Sequence, residues 1–512
     1  MKTAILTAAL ILFAVVTASA GILSPDLESR LSALSDDDVL TVLVVMEARV
    51  DMPALDRELR AAKAKLKTRH ERVVTELQSV AEISKRDLLV QLDEAIGDGR
   101  IEGYTPHWIV NGVVVRGSVE AILELAARSD VARVEPDLEV ELIDPVSVKA
   151  PVPHPSPDKS GFIAPGVVAV GAPQVWHELG IHGTGTIVAN IDSGVDGNHA
   201  ALASRWLGNF VPADRAWQDH GNVGSHDFPH DSYGHGTHVM GTITAATPFD
   251  TLGVAPGARW MASNALWTSS SFDNVIIAAF EWFADPDGNP ATQVDVPDVI
   301  HNSWGVNTAM GFPPCDSRWW DVVDNCEAAG VVVTWSTGNE GPGPSTLRSP
   351  PDRASTATSS FSVGSTGTNV PHTVSNFSSR GPSLCGGPHA VKPEIMAPGE
   401  SIYSTFPGGG YAYMDGTSMA GPHVAGVVAL MREAAPDLDV TTIKEVLMAT
   451  AVDLGAVGDD NSYGHGFVDA YAAVSMVLGN AGGIAGVVRD QATSALLADA
   501  IVHDMRGATA TA

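Results

Sequence analysis

The sequence predicts an α/β fold: a parallel sheet with helices on both faces, preceded by a small α+β unit. Three observations lead there. Ile187–Ile191 and Val331–Val333 are short, nearly continuous apolar runs of the kind found in strands buried on both faces, and Asp298–His301 (Asp-Val-Ile-His) ends a third. Helical stretches such as 274–283 and 319–329 lie among these runs, and strands alternating with helices imply a parallel sheet. Residues 21–142 differ in composition from the rest, carrying half of the chain's 30 Lys and Arg. In a parallel sheet the chemistry lies beyond the carboxyl ends of the strands, and Asp192, 302–305 and 338–340 stand at such ends.

At 512 residues, with 45 % apolar and 18 % charged side chains, the chain has room for two or three domains and a large core. Met1–Ala20 reads as a signal peptide: Lys2 is the charged start, Ile5–Val16 the apolar stretch, and Ala18-Ser19-Ala20 the small-residue cleavage site. That stretch is too short to span a membrane, and no later one is long and apolar enough, so the chain is expected to be secreted, extracellular or in the cell envelope.

In 21–142 the expected order is strand (Thr41–Met46), long helix (Pro53–Ile96), strand (Trp108–Val115), helix (from Ser118) and strand (Ala132–Val134), with Leu138–Leu142 also extended. Residues 143–165 form a linker whose prolines at 145, 151, 153, 155 and 157 favour an extended, exposed and cleavable chain. Residues 166–478 carry the α/β pattern. The tail, 479–512, has two strand-like runs, Ile484–Val488 and Leu496–Val502. Cys315 and Cys385 lie in loops and form the expected pair, with Cys326 on a buried helix face; three free thiols is the alternative.

Charge excludes one class of partner. From residue 143 onward 14 Lys and Arg stand against 36 Asp and Glu, and a nucleic-acid partner would need a basic face.

The stretch Tyr413–Gly426 places Ser418 at the start of an apolar helix, with Pro422 expected in its first turn. There, free N–H groups and the helix dipole favour a developing oxyanion. Alone, such a serine is an ordinary N-cap. A nucleophilic serine needs a base and a group to orient that base. His235, in His-Gly-Thr-His-Val-Met-Gly-Thr, is the candidate base. Asp192, in Asn-Ile-Asp-Ser-Gly-Val at a buried strand end, needs hydrogen bonds that an imidazole would supply. Asn339, in Thr-Gly-Asn-Glu-Gly, either donates its amide to an oxyanion or is a plain turn residue. His220, His226, His230, His235 and His238 also raise a zinc reading, without any His-Glu-x-x-His.

The windows Ile191–Val195, His235–Thr242 and Gly416–Gly426, in that order and with Gly-Asn-Glu-Gly between the last two, resemble the subtilisin-type (subtilase) serine peptidases over 166–478. Asn302-Ser303-Trp304-Gly305, Gly421 and Gly171–Trp176 are most similar to the bacillopeptidase F type. The resemblance implies a subtilisin-like sheet and a secreted serine endopeptidase with Ser418 as nucleophile, His235 as base then acid, Asp192 as its orienting group and Asn339 in the oxyanion hole. It implies that Ser303, Trp304 and Gly305 pair with substrate backbone and that Ser336, Thr337 and Gly338 form the opposite wall of the primary pocket. Trp304 either reshapes the flanking subsites or packs in the core.

The resemblance also makes 38–142 an inhibitor-type propeptide of ferredoxin-like shape, with Val134-Glu135-Pro136-Asp137 near its end and Asp137–Leu142 lying along the cleft as a product-like strand. Its expected partners are protein or peptide substrates and its own propeptide as an intramolecular inhibitor, with self-cleavage between Glu141 and Gly166. No cofactor is implied for the chemistry. Structural calcium is allowed, with Asp285-Pro286-Asp287-Gly288-Asn289 as a loop of suitable ligands or a surface turn, and no metal in the catalytic site. The tail resembles the opening of a carboxypeptidase-regulatory-like β-sandwich, with a loose tail as the alternative. A catalytically dead relative acting as a binding module is the alternative from another class.

Overall fold

The computed structural model describes residues 22–36, 38–152, 161–220, 227–266, 273–479, 501–503 and 509–511. The signal-peptide expectation, His226, part of the Pro-rich linker and the run Ile484–Val488 fall outside the described residues. Ile501–His503, at the end of the second tail run, pairs antiparallel with Thr509–Thr511.

The first part of the chain runs β1 (Ile22–Leu23), α1 (Pro25–Leu31), β2 (Val39–Met46), α2 (Met52–Ala61), α3 (Leu66–Gly97), β3 (Ile101–His107), β4 (Gly112–Ser118), α4 (Val119–Ala126) and β5 (Val131–Pro136). Two compact units are present. One takes in the chain through Arg49, Val80–Pro106 and Asn111–Asp137; the other holds Val50–Ser79, His107–Val110 and everything from Leu138.

The smaller unit is a five-stranded sheet in the order β1-β5-β2-β4-β3. Strand periodicity puts Val42, Val44 and Met46 of β2 on one face. There they meet Val113 and Val115 of β4, Val134 of β5, Ile122 and Leu125 of α4, and Leu88 and Leu92 of α3 in one buried cluster. Ser118 caps α4 by accepting from Ala121 N (3.3 Å), as its position ahead of an apolar run predicts. Two expectations are corrected. The single helix over 53–96 is broken at 62–65, where Lys63 is left-handed (φ 49°). The strand expected from Trp108 starts at Gly112, after a turn through Asn111 (φ 46°), and β3 precedes it. Continuous apolar and charged patterning hid both breaks.

In the larger unit the chain continues through β6 (Glu141–Leu142), β7 (Ser147–Val152), β8 (Phe162–Ile163), α5 (Pro165–Ala169), α6 (Ala172–Gln174), β9 (Ile187–Asp192), β10 (Trp217–Asp219), α7 (His235–Thr244), β11 (Asp250–Thr251), β12 (Arg259–Asn264) and α8 (Asp273–Ala284). It then forms β13 (Val299–Asn302), β14 (Trp304–Gly305), α9 (Trp320–Ala328), β15 (Val332–Ser336), β16 (Phe361–Thr366), β17 (Ile395–Pro398), β18 (Ile402–Phe406), β19 (Gly410–Asp415), α10 (Thr417–Ala434), α11 (Val440–Ala449) and α12 (Ala470–Gly479).

Its centre is a seven-stranded sheet, β10-β12-β9-β13-β15-β16-β17, in which every neighbouring pair is parallel. After β9 the chain adds β12 on one side and then β13 on the other. The strand order therefore reverses at β9, and a crevice opens beyond its carboxyl end. Helix α10 packs across β13, β15 and β16 and against α7, buried from Thr417 to Arg432. Pro422 is not in its first turn: it is the sixth helical residue and withholds the N–H that would bond the Ser418 carbonyl.

Cys315 and Cys385 are joined, with Cα atoms 5.2 Å apart, and Cys326 is a buried free thiol. The Pro-rich linker is less free than its composition suggests, because β7 pairs antiparallel with β19. Among the described residues no helix is long and apolar enough to cross a membrane.

Candidate active site

Asp192 ends β9 with its side chain buried. Its Oδ1 accepts from Ser193 N (2.7 Å) and from His235 Nδ1 (2.8 Å). His235 opens α7, also buried, with Gly234 as a left-handed N-cap (φ 100°). The helix can start this close to β9 only because residue 236 is glycine: a Cβ there would stand 2.1 Å from Gly194 O. Burial opposes the imidazolium, but Asp192, with smaller contributions from Asp231 and Asp144, outweighs it and raises the His235 pKa.

Asp231, which sequence reasoning missed, ties the two elements together. Its Oδ1 accepts from Ser193 Oγ (3.1 Å) and Gly234 N (2.7 Å), and its Oδ2 from Thr237 N (2.9 Å) and Thr237 Oγ1 (2.6 Å). A lone aspartate in Pro-His-Asp-Ser-Tyr carries no local sign of that duty.

Ser418 is the second residue of α10. Its Oγ donates to Ile143 O (2.9 Å), and His235 Nε2, buried, takes no hydrogen bond. Asn339 is oriented by its neighbours: Oδ1 accepts from Thr417 N and Thr417 Oγ1 (both 3.0 Å), which turns Nδ2 toward Asp144 O (2.8 Å). Ser418 and Asn339 therefore hold two consecutive carbonyls of one extended segment. That segment pairs antiparallel with β14, Leu142 opposite Trp304 and Glu141 opposite Gly305, and Ile143 N donates to Ser303 O (2.9 Å).

A family profile described as the subtilase family matches residues 183–466. The chain belongs to the subtilase family. It is 34 % identical over 459 residues to bacillopeptidase F of Bacillus subtilis (strain 168), a match covering 85 % of this chain and 30 % of that protein. It is 36 % identical over 310 residues to M-protease of Shouchella clausii (strain KSM-K16), 60 % of this chain and 69 % of that one. Subtilisin Savinase of Lederbergia lenta is 35 % identical over 310 residues, 60 % of this chain and 97 % of that one. The matched part of this subtilase thus spans under a third of the first relative's length, and that match bears out the bacillopeptidase F-type resemblance.

Around the serine of this subtilase, the buried hydroxyls of Ser303 and Ser336 are hydrogen-bonded to each other (3.2 Å), and Ser336 Oγ donates to Thr417 O (3.0 Å). Gly338, left-handed at φ 113°, donates its N–H to Thr417 Oγ1 (3.3 Å), and Thr337 N bonds Val363 O (3.2 Å). Ile143, the residue held at Ser303, is fully buried. Trp304 joins the pairing strand by its backbone alone. Its ring is core, edge-on to Trp319 (5.4 Å) and Trp335 (4.9 Å), with Nε1 donating to Asn302 Oδ1 (2.9 Å). Of its two expected roles, the packing one holds for the side chain.

His301, also missed, lies beside Ser303. It bonds Thr334 Oγ1 through Nδ1 (3.0 Å) and Ser303 Oγ through Nε2 (2.9 Å). The other described histidines of the suggested cluster serve separate partners. His238 donates to Ile402 O (3.0 Å), and His230 lies 3.9 Å from Asp219. Among the described residues no group of three or more His, Cys, Asp or Glu side chains is placed to hold a metal ion. In the suggested calcium loop, Asp285 accepts from Gln78 (2.7 Å) and Asp287 from Arg215 (2.9 Å).

Proposed function

We propose that this subtilase is a secreted serine endopeptidase, made as a zymogen that processes itself. The observation that carries the reading is that Ser418 and Asn339 hold consecutive carbonyls of the extended segment at Ile143–Asp144, with the Asp192–His235 pair near enough for His235 to feel the Asp144 charge.

In this mechanism Ser418 Oγ attacks a peptide carbonyl carbon and its proton passes to His235 Nε2. Asp192, accepting from Nδ1–H, fixes the tautomer that can receive the proton and favours the imidazolium that forms. The oxyanion takes hydrogen bonds from Asn339 Nδ2 and Ser418 N–H at the start of α10. His235 then returns the proton to the leaving amine, leaving an acyl-enzyme, and a water activated by His235 releases the acid. Ser303, Trp304 and Gly305 hold the acyl side of the substrate as an added strand, and Ser336, Thr337 and Gly338 complete the pocket.

The bond cut in maturation is Ile143–Asp144. Two contacts support that reading: Ile143 N on Ser303 O and Ser418 Oγ on Ile143 O. Residues before the cut, seated on β14, act as the inhibitor until released. Met1–Ala20 direct export.

Intact mass and N-terminal sequencing of the natural chain and its Ser418→Ala variant, with casein hydrolysis on both, test this. A natural enzyme that starts at Asp144 and digests casein, beside a longer inert variant, is the expected result. Both chains processed alike, or an active form starting at residue 21, would overturn self-processing.

A further inference from the structure

Beyond Ser418 the bound segment does not leave the surface. Val146 N donates to Asp415 O (2.7 Å), and β7 then runs antiparallel to β19, Ser147 opposite Asp415, Val148 opposite Met414, Lys149 opposite Tyr413 and Val152 opposite Tyr411. The pairing carries one register shift, between Tyr411 and Tyr413. Strand β19 is bonded to β18 along its other edge and leads directly into Gly416 and Ser418. Its open edge is therefore fixed in distance and direction to the nucleophile, and β7 covers it.

Main chain dominates this contact. Val146 and Val148 are each 53 % exposed, while Ala150 packs on the buried cluster of Val239, Ile402, Ala412, Met414 and Met419. An edge that binds backbone and leaves side chains in solvent accepts many sequences. Once β7 leaves, it is also an unpaired edge that invites another strand.

We propose that the open edge of β19 is a docking edge for the leaving-group side of polypeptide substrates, reaching about eight or nine residues past the cleaved bond, and that residues 144–152 are its resident occupant before maturation. The partner is any extended, unfolded segment of a protein chain. The inference rests on the peptidase reading, and it makes this enzyme favour long, unstructured substrates over short peptides.

The test uses mature enzyme and a series of quenched fluorescent peptides. All share one acyl side and carry one, three, six or nine residues on the leaving side. Because each added main-chain hydrogen bond adds affinity, KM is expected to fall about tenfold or more from three to nine residues with little change in kcat. N-methylation of single backbone nitrogens in the nine-residue leaving side should cancel part of that gain at alternate positions, because edge bonds alternate along an antiparallel strand. KM that is flat beyond three residues, with short peptides still cut, overturns the docking edge and leaves the peptidase reading standing. Failure to cut any peptide of the series overturns both.

Discussion

The ring of His301 fills the space where a side chain at residue 421 would lie: a Cβ on Gly421 would stand 2.1 Å from His301 Cε1. His301 sits on β13, and Gly421 one turn beyond Ser418 on α10. The pair sets how closely the nucleophile helix approaches the strand that leads to Ser303. Gly421→Ala gains helix propensity but forces apart two buried elements. It is expected to lower stability by about 1–3 kcal/mol and to reduce kcat. Thermal unfolding of the organophosphate-inhibited enzyme and steady-state kinetics check this. His301→Ser in the same chain should recover part of the loss, since residues in contact are not additive.

Asn339→Ala removes the amide donor that the proposed mechanism gives to the oxyanion, while leaving the strand contacts of Ser303 and Gly305 in place. The expected result is a fall in kcat of about two to three decades with KM nearly unchanged. The magnitude is that measured for one oxyanion donor in a subtilisin; the direction follows from the mechanism proposed above, in which Nδ2, seated here on Asp144 O (2.8 Å), one residue past Ile143 O, serves the oxyanion.

The raised pKa of His235 predicts the pH profile. The base must be neutral, so kcat/KM should climb through an apparent pKa above the ordinary value of ~6.5 and level off on the alkaline side. Asp192→Asn removes the main charge that favours the imidazolium. Its residual activity should titrate at lower pH as well as being far weaker.

Acid should unfold this protein for an identifiable reason. Burial lowers the pKa of His238 to about 3, of His301 to about 3 and of His423 to about 4. The unfolded chain binds these protons near pH ~6.5, before the folded one does. The stability they contribute is whole above that pH and is lost as pH falls toward 4 and 3, at about 1.4 kcal/mol per ring per pH unit. Buried carboxylates with raised pKa, such as Asp231 and Asp298, pull the other way. The clean readout is a difference: His423→Phe should flatten the slope of unfolding free energy against pH below ~6 by about one ring's share.

The disulfide between Cys315 and Cys385 closes a loop of 70 residues, worth about 4 kcal/mol if its effect is on unfolded-chain entropy. Reduction should lower the unfolding temperature. Cys326, buried and with its thiol pKa raised by that burial, should resist alkylation until the chain unfolds. Counting labelled thiols before and after denaturation checks both statements.

The sequence by itself determined the parallel α/β class, three of the sheet's seven strands, and the places of Asp192 and Asn339 after strands and of His235 and Ser418 at helix starts. Each of those signals is local. An apolar run ending in Asp192, a helix opening at His235 between glycines, and small residues around Ser418 are all demanded by close backbone approach, and composition records that demand within a few positions. Tertiary structure alone decided what joins distant positions. Asp231 links β9 to α7, His301 requires Gly421, Trp304 turns into the core, and β7 lies on β19, each across tens to hundreds of residues. No window of sequence encodes such a pair, because either member alone is compatible with many neighbours and only the packed core selects one. The same holds for the bond at Ser418: prolines marked a cleavable stretch, but the backbone pairing of Ile143 with Ser303 was needed to place one peptide at the serine.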